Sequence, residues 1–163
     1  SIAEKFNSNL SIVKSVIKSN QNRKMLLTKR VLKIMNNKIK NKKIAVLGVT
    51  FKANTDDMRE SSSLVLIPYL LKKGAKVSYH DPSGPKNEFG KKKNLNFASS
   101  INKACQGADL IIINTEWDEF KSIDFKKIVK KNNFKIYDMR NLYNPIELKK
   151  RNIKYYSVGR SKL

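Results

Sequence analysis

The stretch Lys42-Lys43-Ile44-Ala45-Val46-Leu47-Gly48 decides the fold. It is a short, unbroken apolar run that opens on lysines and closes on glycine. A strand with one wet face alternates apolar and polar residues, and this run does not. It therefore reads as a strand buried on both faces, as in a parallel sheet covered by helices. Further runs follow it: 76–80, stopped by Asp81-Pro82, then 108–114, 134–138 and 154–158. Helical stretches alternate with them. Ser61-Ser62-Ser63 offers hydroxyl N-caps to a helix whose inner face is Leu64, Ile67 and Leu71, with Gly74 as its stop and Pro68 in its early turns or bending it. Shorter helices are expected at 99–107, 125–131 and 145–151. Strands alternating with helices predict an α/β fold: a Rossmann-like parallel sheet with helices on both faces. The segment 83–94, rich in Gly, Pro and Lys, reads as a mobile loop.

Upstream of the first strand, residues 3–38 read as one long helix. Phe6, Leu10, Val13 and Ile17 fall on one face, and Leu27, Val31 and Ile34 repeat the spacing. The weak helix formers Ser19-Asn20-Gln21-Asn22 predict a bend or break between the two stripes. A helix of this length at the start of a chain suggests a connection to something upstream.

The chain has 163 residues, enough for one domain with a real core, and 40% of them are hydrophobic. No apolar h-region opens it, and no apolar run approaches the roughly 20 residues that cross a bilayer. A lone cysteine, Cys105, rules out an internal disulfide framework and fits a reducing cytoplasm. Cys105 falls in an expected helix and reads as a small buried apolar residue. The net charge of +22 would suit a nucleic-acid partner. Against that, 29 of the 35 basic residues are Lys and only 6 are Arg, whereas phosphate and base readers favour the planar fork of arginine. Lysine enrichment with only short local runs such as Lys91-Lys92-Lys93 is what compositional drift gives, so neither nucleic acid nor membrane is expected as a partner. The alternatives left open are a Lys-rich nucleic-acid-binding module and a standalone interaction domain that dimerises through the long helix.

Ligands of open parallel sheets bind beyond the carboxyl ends of the strands. The polar residues placed there are Phe51, Lys52, Asp56, Asp57 and Arg59 after the first strand, and His80 and Asp81 after the second. Thr115, Glu116 and Trp117 follow the third, and Asp138, Arg140 and Asn141 the fourth. There is no G-x-G-x-x-G, so a dinucleotide site of the usual kind is not indicated. Lys52, Arg59 and Arg140 at one rim would suit a pyrophosphate. They would equally suit a solvated rim balanced by Asp56, Asp57 and Asp138. His80 reads as a rim residue rather than a base.

The run Ile44 to Ser61, with Gly48-Val49-Thr50-Phe51-Lys52-Ala53-Asn54-Thr55-Asp56-Asp57-Met58-Arg59 at its centre, resembles the UDP-binding signature of the UDP-glucose/GDP-mannose dehydrogenase family. Gly74-Ala75-Lys76-Val77, Asp81-Pro82, Ala108-Asp109, Thr115-Glu116-Trp117-Asp118-Glu119-Phe120, Asp138-Met139-Arg140-Asn141 and Tyr156-Ser157-Val158-Gly159-Arg160 follow in the family's order. The wording at Asn54–Arg59 and Thr115–Trp117 is closest to the UDP-glucose branch. The resemblance implies a division into residues 1–40, the end of a central interdomain and dimerisation helix, and 41–163, a UDP-sugar-binding α/β domain. It implies that Phe51, Lys52 and Arg140 bind the nucleotide sugar and that Arg59 binds NAD at an interdomain cleft. Asp138 and Asn141 would shape the turn that carries Arg140. The family oxidises the C6 alcohol of the sugar to a carboxylate with NAD, through a thiolate in a Phe-Gly-Gly-Ser-Cys-Phe-Pro-Lys-Asp segment. That segment and the N-terminal NAD domain are not in this sequence, so no catalytic residue and no metal site is assigned here. The chain alone is expected to be inactive, with the NAD domain of the same enzyme, a UDP-sugar and a second copy as partners. The Asn20-Gln21-Asn22-Arg23-Lys24 stretch matches the family helix only loosely.

Overall fold

The computed structural model of the protein describes residues 11–160. Within it one six-stranded sheet is built from β1 (Lys43–Leu47), β2 (Lys76–His80), β3 (Leu95–Phe97), β4 (Leu110–Ile113), β5 (Lys135–Asp138) and β6 (Lys154–Ser157). The strands lie in the order β3-β2-β1-β4-β5-β6, and every neighbouring pair is parallel. The chain builds outward from β1 to one edge, then returns to the centre and builds outward from β4 to the other. The reversal falls between β1 and β4, which makes the gap beyond their carboxyl ends the topological switch point.

The alternation of side chains sorts the core into two layers. Ile44, Val46, Leu110, Ile112 and Tyr137 point to one face and pack under α1 (Ser11–Ile34) and α2 (Ser63–Lys72). Ala45, Leu47, Ile111, Ile113 and Ile136 point to the other, against α3 (Ile101–Cys105), α4 (Phe125–Val129) and α5 (Pro145–Lys150). Burial on both faces explains why these strands read as continuous apolar runs.

Helix α1 passes through Ser19–Asn22 as part of one 24-residue helix, without the expected break. It ends at Ile34 rather than at 38, because Asn36 and Asn37 take positive φ angles of 50° and 59°. The Lys135 ammonium donates to the Ile34 carbonyl, satisfying an orphan acceptor at the negative helix end. Phe6 and Leu10 lie outside the described residues. Val13 and Ile17 are exposed.

Two other expectations need correction. The serine triplet does not cap α2 through its N-cap residue: Ser62 is αR and makes no capping bond. Instead the Ser61 hydroxyl donates to the Val49 carbonyl at 2.7 Å, the Ser62 hydroxyl donates to Asn114 Oδ1 at 2.6 Å, and only the Ser63 amide is served, by Ser61 Oγ. The triplet fastens α2 to the loop after β1. The segment read as a loop before residue 95 contains the 3-10 turn Asn87–Phe89 and leads into β3. Phe89 is buried against the Tyr79 ring, and Phe97 packs on the same ring.

At the opposite end of the strands, Asp109 ties β1 to β4. Its carboxylate accepts from the Lys43 amide at 2.9 Å and pairs with the Lys131 ammonium at 2.5 Å. Burial alone would raise its pKa, but Lys131, the Lys43 amide and Lys42 outweigh it and hold the group below the usual carboxylate range. A depressed folded pKa stabilises above the unfolded value, and the benefit is lost as pH falls. Asp109→Asn is expected to cost about 1 kcal/mol at neutral pH, discounted because Lys131 is partly exposed. The gap from wild type should close as pH drops below about 4, as urea titrations at pH 7 and pH 3 would show.

Candidate functional site

The register brings Leu47, His80, Ile113, Asp138 and Ser157 into one row across the sheet. The residues that follow them therefore share one rim. The loop after β1 is held there by buried polar groups. Asp81 Oδ2 accepts from the amides of Val49 and Thr50 at 2.6 and 3.2 Å, and Asp81 Oδ1 accepts from the Ser83 amide at 3.0 Å. Thr115 Oγ1 donates to the Thr50 carbonyl at 2.7 Å, and Asn114 Nδ2 donates to the Gly48 carbonyl at 3.1 Å. The Phe51 amide donates to the Asp57 carbonyl at 2.8 Å, closing the loop on itself.

Arg140 is placed from the other side of the switch point. Asp138 Oδ1 accepts from its amide at 2.9 Å, while Asp138 Oδ2 accepts from the Tyr155 hydroxyl at 2.8 Å. Asn141 takes a positive φ of 59° and donates to the Val158 carbonyl. Asp138 and Asn141 thus shape the turn. The Arg140 guanidinium spans β1 and β4: Nε donates to the Asn114 carbonyl at 2.8 Å, and one terminal nitrogen reaches the Phe51 carbonyl at 3.4 Å. Glu116 Oε2 lies 3.0 Å from Arg140 Nε. It is an ion-pair neighbour rather than an aligned acceptor, because that oxygen makes no hydrogen bond.

A cleft of about 500 Å³ opens beside this guanidinium, within the size range of small-molecule sites. Phe51, Asn114, Met139 and Arg140 line it from the strand ends, Glu60 and Ser62 from the turn that leads into α2, and Asn20, Arg23, Lys24 and Leu27 from α1. Phe51 is a large apolar side chain that is 48% exposed. Of the residues picked out in the sequence, Phe51 and Arg140 share this cleft. Lys52 and Arg59 do not line it. Arg59 sits at the loop's outer lip, its Nε and a terminal nitrogen donating to the two Asp57 oxygens at 3.0 and 2.9 Å. That fork holds the Asp57 carboxyl down to about 2, with Lys52 adding a smaller pull. A second groove, of about 410 Å³, follows edge strand β6 rather than the switch point.

The α1 residues Asn20, Arg23 and Lys24 belong to the stretch that matched the family helix only loosely and were given no site role in the sequence. Asn20 and Lys24 continue the spacing Val13, Ile17, then Leu27, Val31, Ile34, so polar residues interrupt an otherwise apolar stripe whose second half is docked on the domain. That interruption was the available signal. His80 does no visible chemistry: its Nδ1 is 2.8 Å from the Ala98 carbonyl and its Nε2 is 2.9 Å from Glu119 Oε1. Cys105 is fully buried, and burial pushes its thiol up to about 12, so it is no nucleophile.

The family model described as "UDP-glucose/GDP-mannose dehydrogenase family, UDP binding domain" matches residues 45–145. This chain belongs to that family. Among curated relatives, the UDP-glucose 6-dehydrogenase of Rickettsia bellii (strain RML369-C) is 38% identical over 151 residues, covering 91% of this chain and 35% of that protein. The UDP-glucose 6-dehydrogenase of Rhizobium meliloti (strain 1021) is 37% identical over 152 residues, covering 91% and 34%. The chain thus spans about a third of the length of the curated relatives it matches. A UDP-glucose dehydrogenase from Pyrobaculum islandicum shares the fold with a TM-score of 0.75 at 23% identity, over 98% of this chain and 35% of that one. An NDP-N-acetyl-D-galactosaminuronic acid dehydrogenase from Methanosarcina mazei Go1 superposes with a TM-score of 0.70 at 27% identity, over 86% and 29%. As a UDP-binding domain of this family, the chain carries its cleft where the fold's ligand rule puts it.

Proposed function

We propose that this chain is the nucleotide-sugar-binding part of a UDP-glucose 6-dehydrogenase, which oxidises UDP-glucose to UDP-glucuronate with NAD. The observation that carries the reading is the Arg140 guanidinium, fixed on the Asn114 carbonyl at the switch point and facing the cleft that Phe51 also lines. A planar guanidinium binds a diphosphate through paired charge-assisted hydrogen bonds. Phe51 offers a ring edge to the base or sugar, and Lys52, on the same loop, adds positive field from outside the cleft. In this reading the binding domain covers residues 41–163, and the segment before it, which contains α1 (Ser11–Ile34), leads to an N-terminal NAD domain. The exposed Ile12, Val13, Val16 and Ile17 form the face through which two copies would pair. A cytoplasmic setting fits the lone thiol.

In this reading NAD is held mainly by the N-terminal domain. In this chain the turn after β1 packs against Thr115, whose Cβ would stand 2.5 Å from a Cβ at Gly48. Arg59, with a side chain 89% exposed at the lip, is the group this chain can offer to a cofactor held by another domain. The work of this chain is to bind and orient the nucleotide sugar.

Calorimetric titration with UDP-glucose tests the reading. Arg140→Ala is expected to weaken binding by roughly tenfold or more. Lys52→Ala should have a smaller effect, and the chain mixed with UDP-glucose and NAD should form no NADH. Equal affinity in wild type and Arg140→Ala would remove the site.

A further inference from the structure

A diphosphate carries more than one negative charge, so a second cation beside Arg140 would strengthen its binding, and neither cation of the loop lines the cleft. Lys52 and Arg59 both lie beside Asp57 and outside the cleft lining. Within the lining, Lys24 is neutralised by Glu60, whose Oε2 is 2.5 Å from its ammonium. Arg140 is partly neutralised by Glu116 at 3.0 Å. Arg23 lines the same cleft and has no acidic partner among the described residues.

The placement of Arg23 follows from helix geometry. Asn20, Arg23, Lys24 and Leu27 are related by steps of three and four, which puts them on one side of α1. Leu27 is half-buried and the next turn carries the buried Thr28 and Val31, so this side of the helix is docked on the domain. The Thr28 hydroxyl donates to the Lys24 carbonyl at 2.9 Å. The Lys24–Glu60 pair then ties the same turn to the end of the β1–α2 loop. Arg23 therefore stands on a fastened turn, exposed, on the helix side of the cleft that Arg140 lines from the strand ends.

We propose that Arg23 is the second diphosphate ligand of this cleft, so that α1 is a wall of the nucleotide site and not only a linker. The proposal rests on the reading of the cleft as a nucleotide-sugar site. The ligand class is a nucleoside diphosphate: a guanidinium with no acidic partner among the described residues, sharing a cleft with a fixed one, suits two bridged phosphates, and the apolar Phe51, Leu27 and Met139 of the same lining suit the rest of the molecule.

The experiment is an NMR and calorimetric titration of the chain with UDP and, separately, with uridine, which has the base and ribose without phosphate. UDP is expected to shift the Arg23 side-chain Nε–H resonance. Arg23→Ala should raise the Kd for UDP about tenfold, and Arg23→Lys, which keeps the charge and loses the fork, should fall between. Uridine affinity should be the same in all three proteins. Unchanged UDP affinity in Arg23→Ala, with Arg140→Ala still weakened, would overturn this proposal and leave the proposed function standing. A parallel loss of uridine binding in Arg23→Ala would also overturn it, because that marks a structural role for the helix. Failure of the wild type to bind UDP would remove both.

Discussion

Gly48→Ala is expected to destabilise the fold by about 3 kcal/mol, lowering the melting temperature by roughly 10 °C for a domain of this size. Two costs combine. Gly48 has a φ of +75°, a left-handed conformation that penalises any residue with a Cβ. The new methyl would also lie 2.5 Å from Thr115 Cβ and 3.0 Å from the Thr115 Cα and N. Thr115 cannot retreat, since it is fully buried and its hydroxyl donates to the Thr50 carbonyl. Gly84 separates the two costs. Its φ is +90°, but nothing lies within 4 Å of the added Cβ, so Gly84→Ala should lose only about 1 kcal/mol. Chemical denaturation of both variants checks this, and equal losses would show that the Thr115 contact is not what matters.

That contact also bears on what could be read from the sequence. The run ending at Gly48 announces a buried strand, and the missing G-x-G-x-x-G means that a dinucleotide site of the usual kind is not indicated there. Neither discloses that Thr115, 67 positions later, fills the turn. The strands with two buried faces were legible because their composition is uniform. Strand β3 was not, because Leu95-Asn96-Phe97 is short and follows Lys91–Asn94. It exists through pairing with β2 and through the Tyr79 ring, which are tertiary facts. The expected break at Ser19–Asn22 came from propensity alone, a term of tenths of a kcal/mol per residue, too small to interrupt a long helix docked along its second half. In the site, Arg140 and Phe51 followed from the strand-end rule. Arg23 did not, because a charged residue on a helix normally reads as solvent surface. Only the packing of α1 against α2 and the sheet turns that surface toward the cleft.

Asp81→Ala is the second large effect, again about 3 kcal/mol, and it links stability to binding. Asp81 is 1% exposed and accepts from the Val49, Thr50 and Ser83 amides. Removing the carboxylate leaves these donors without their acceptor, at about 1–3 kcal/mol for each that stays buried. Water entering the gap would recover part of that. Two of the three donors begin the loop that carries Phe51, whose carbonyl in turn receives the Arg140 guanidinium. Asp81 is therefore a latch beneath the cleft rather than a ligand in it. Asp81→Asn keeps one carbonyl oxygen for the Val49 and Thr50 amides and should lose roughly half as much stability. The latch also predicts weaker UDP-glucose binding in Asp81→Ala at temperatures where the variant is still fully folded by circular dichroism, because the loop is released before the sheet melts. Wild-type affinity in the folded variant would sever the loop from the site, and wild-type stability would mean that Asp81 holds nothing.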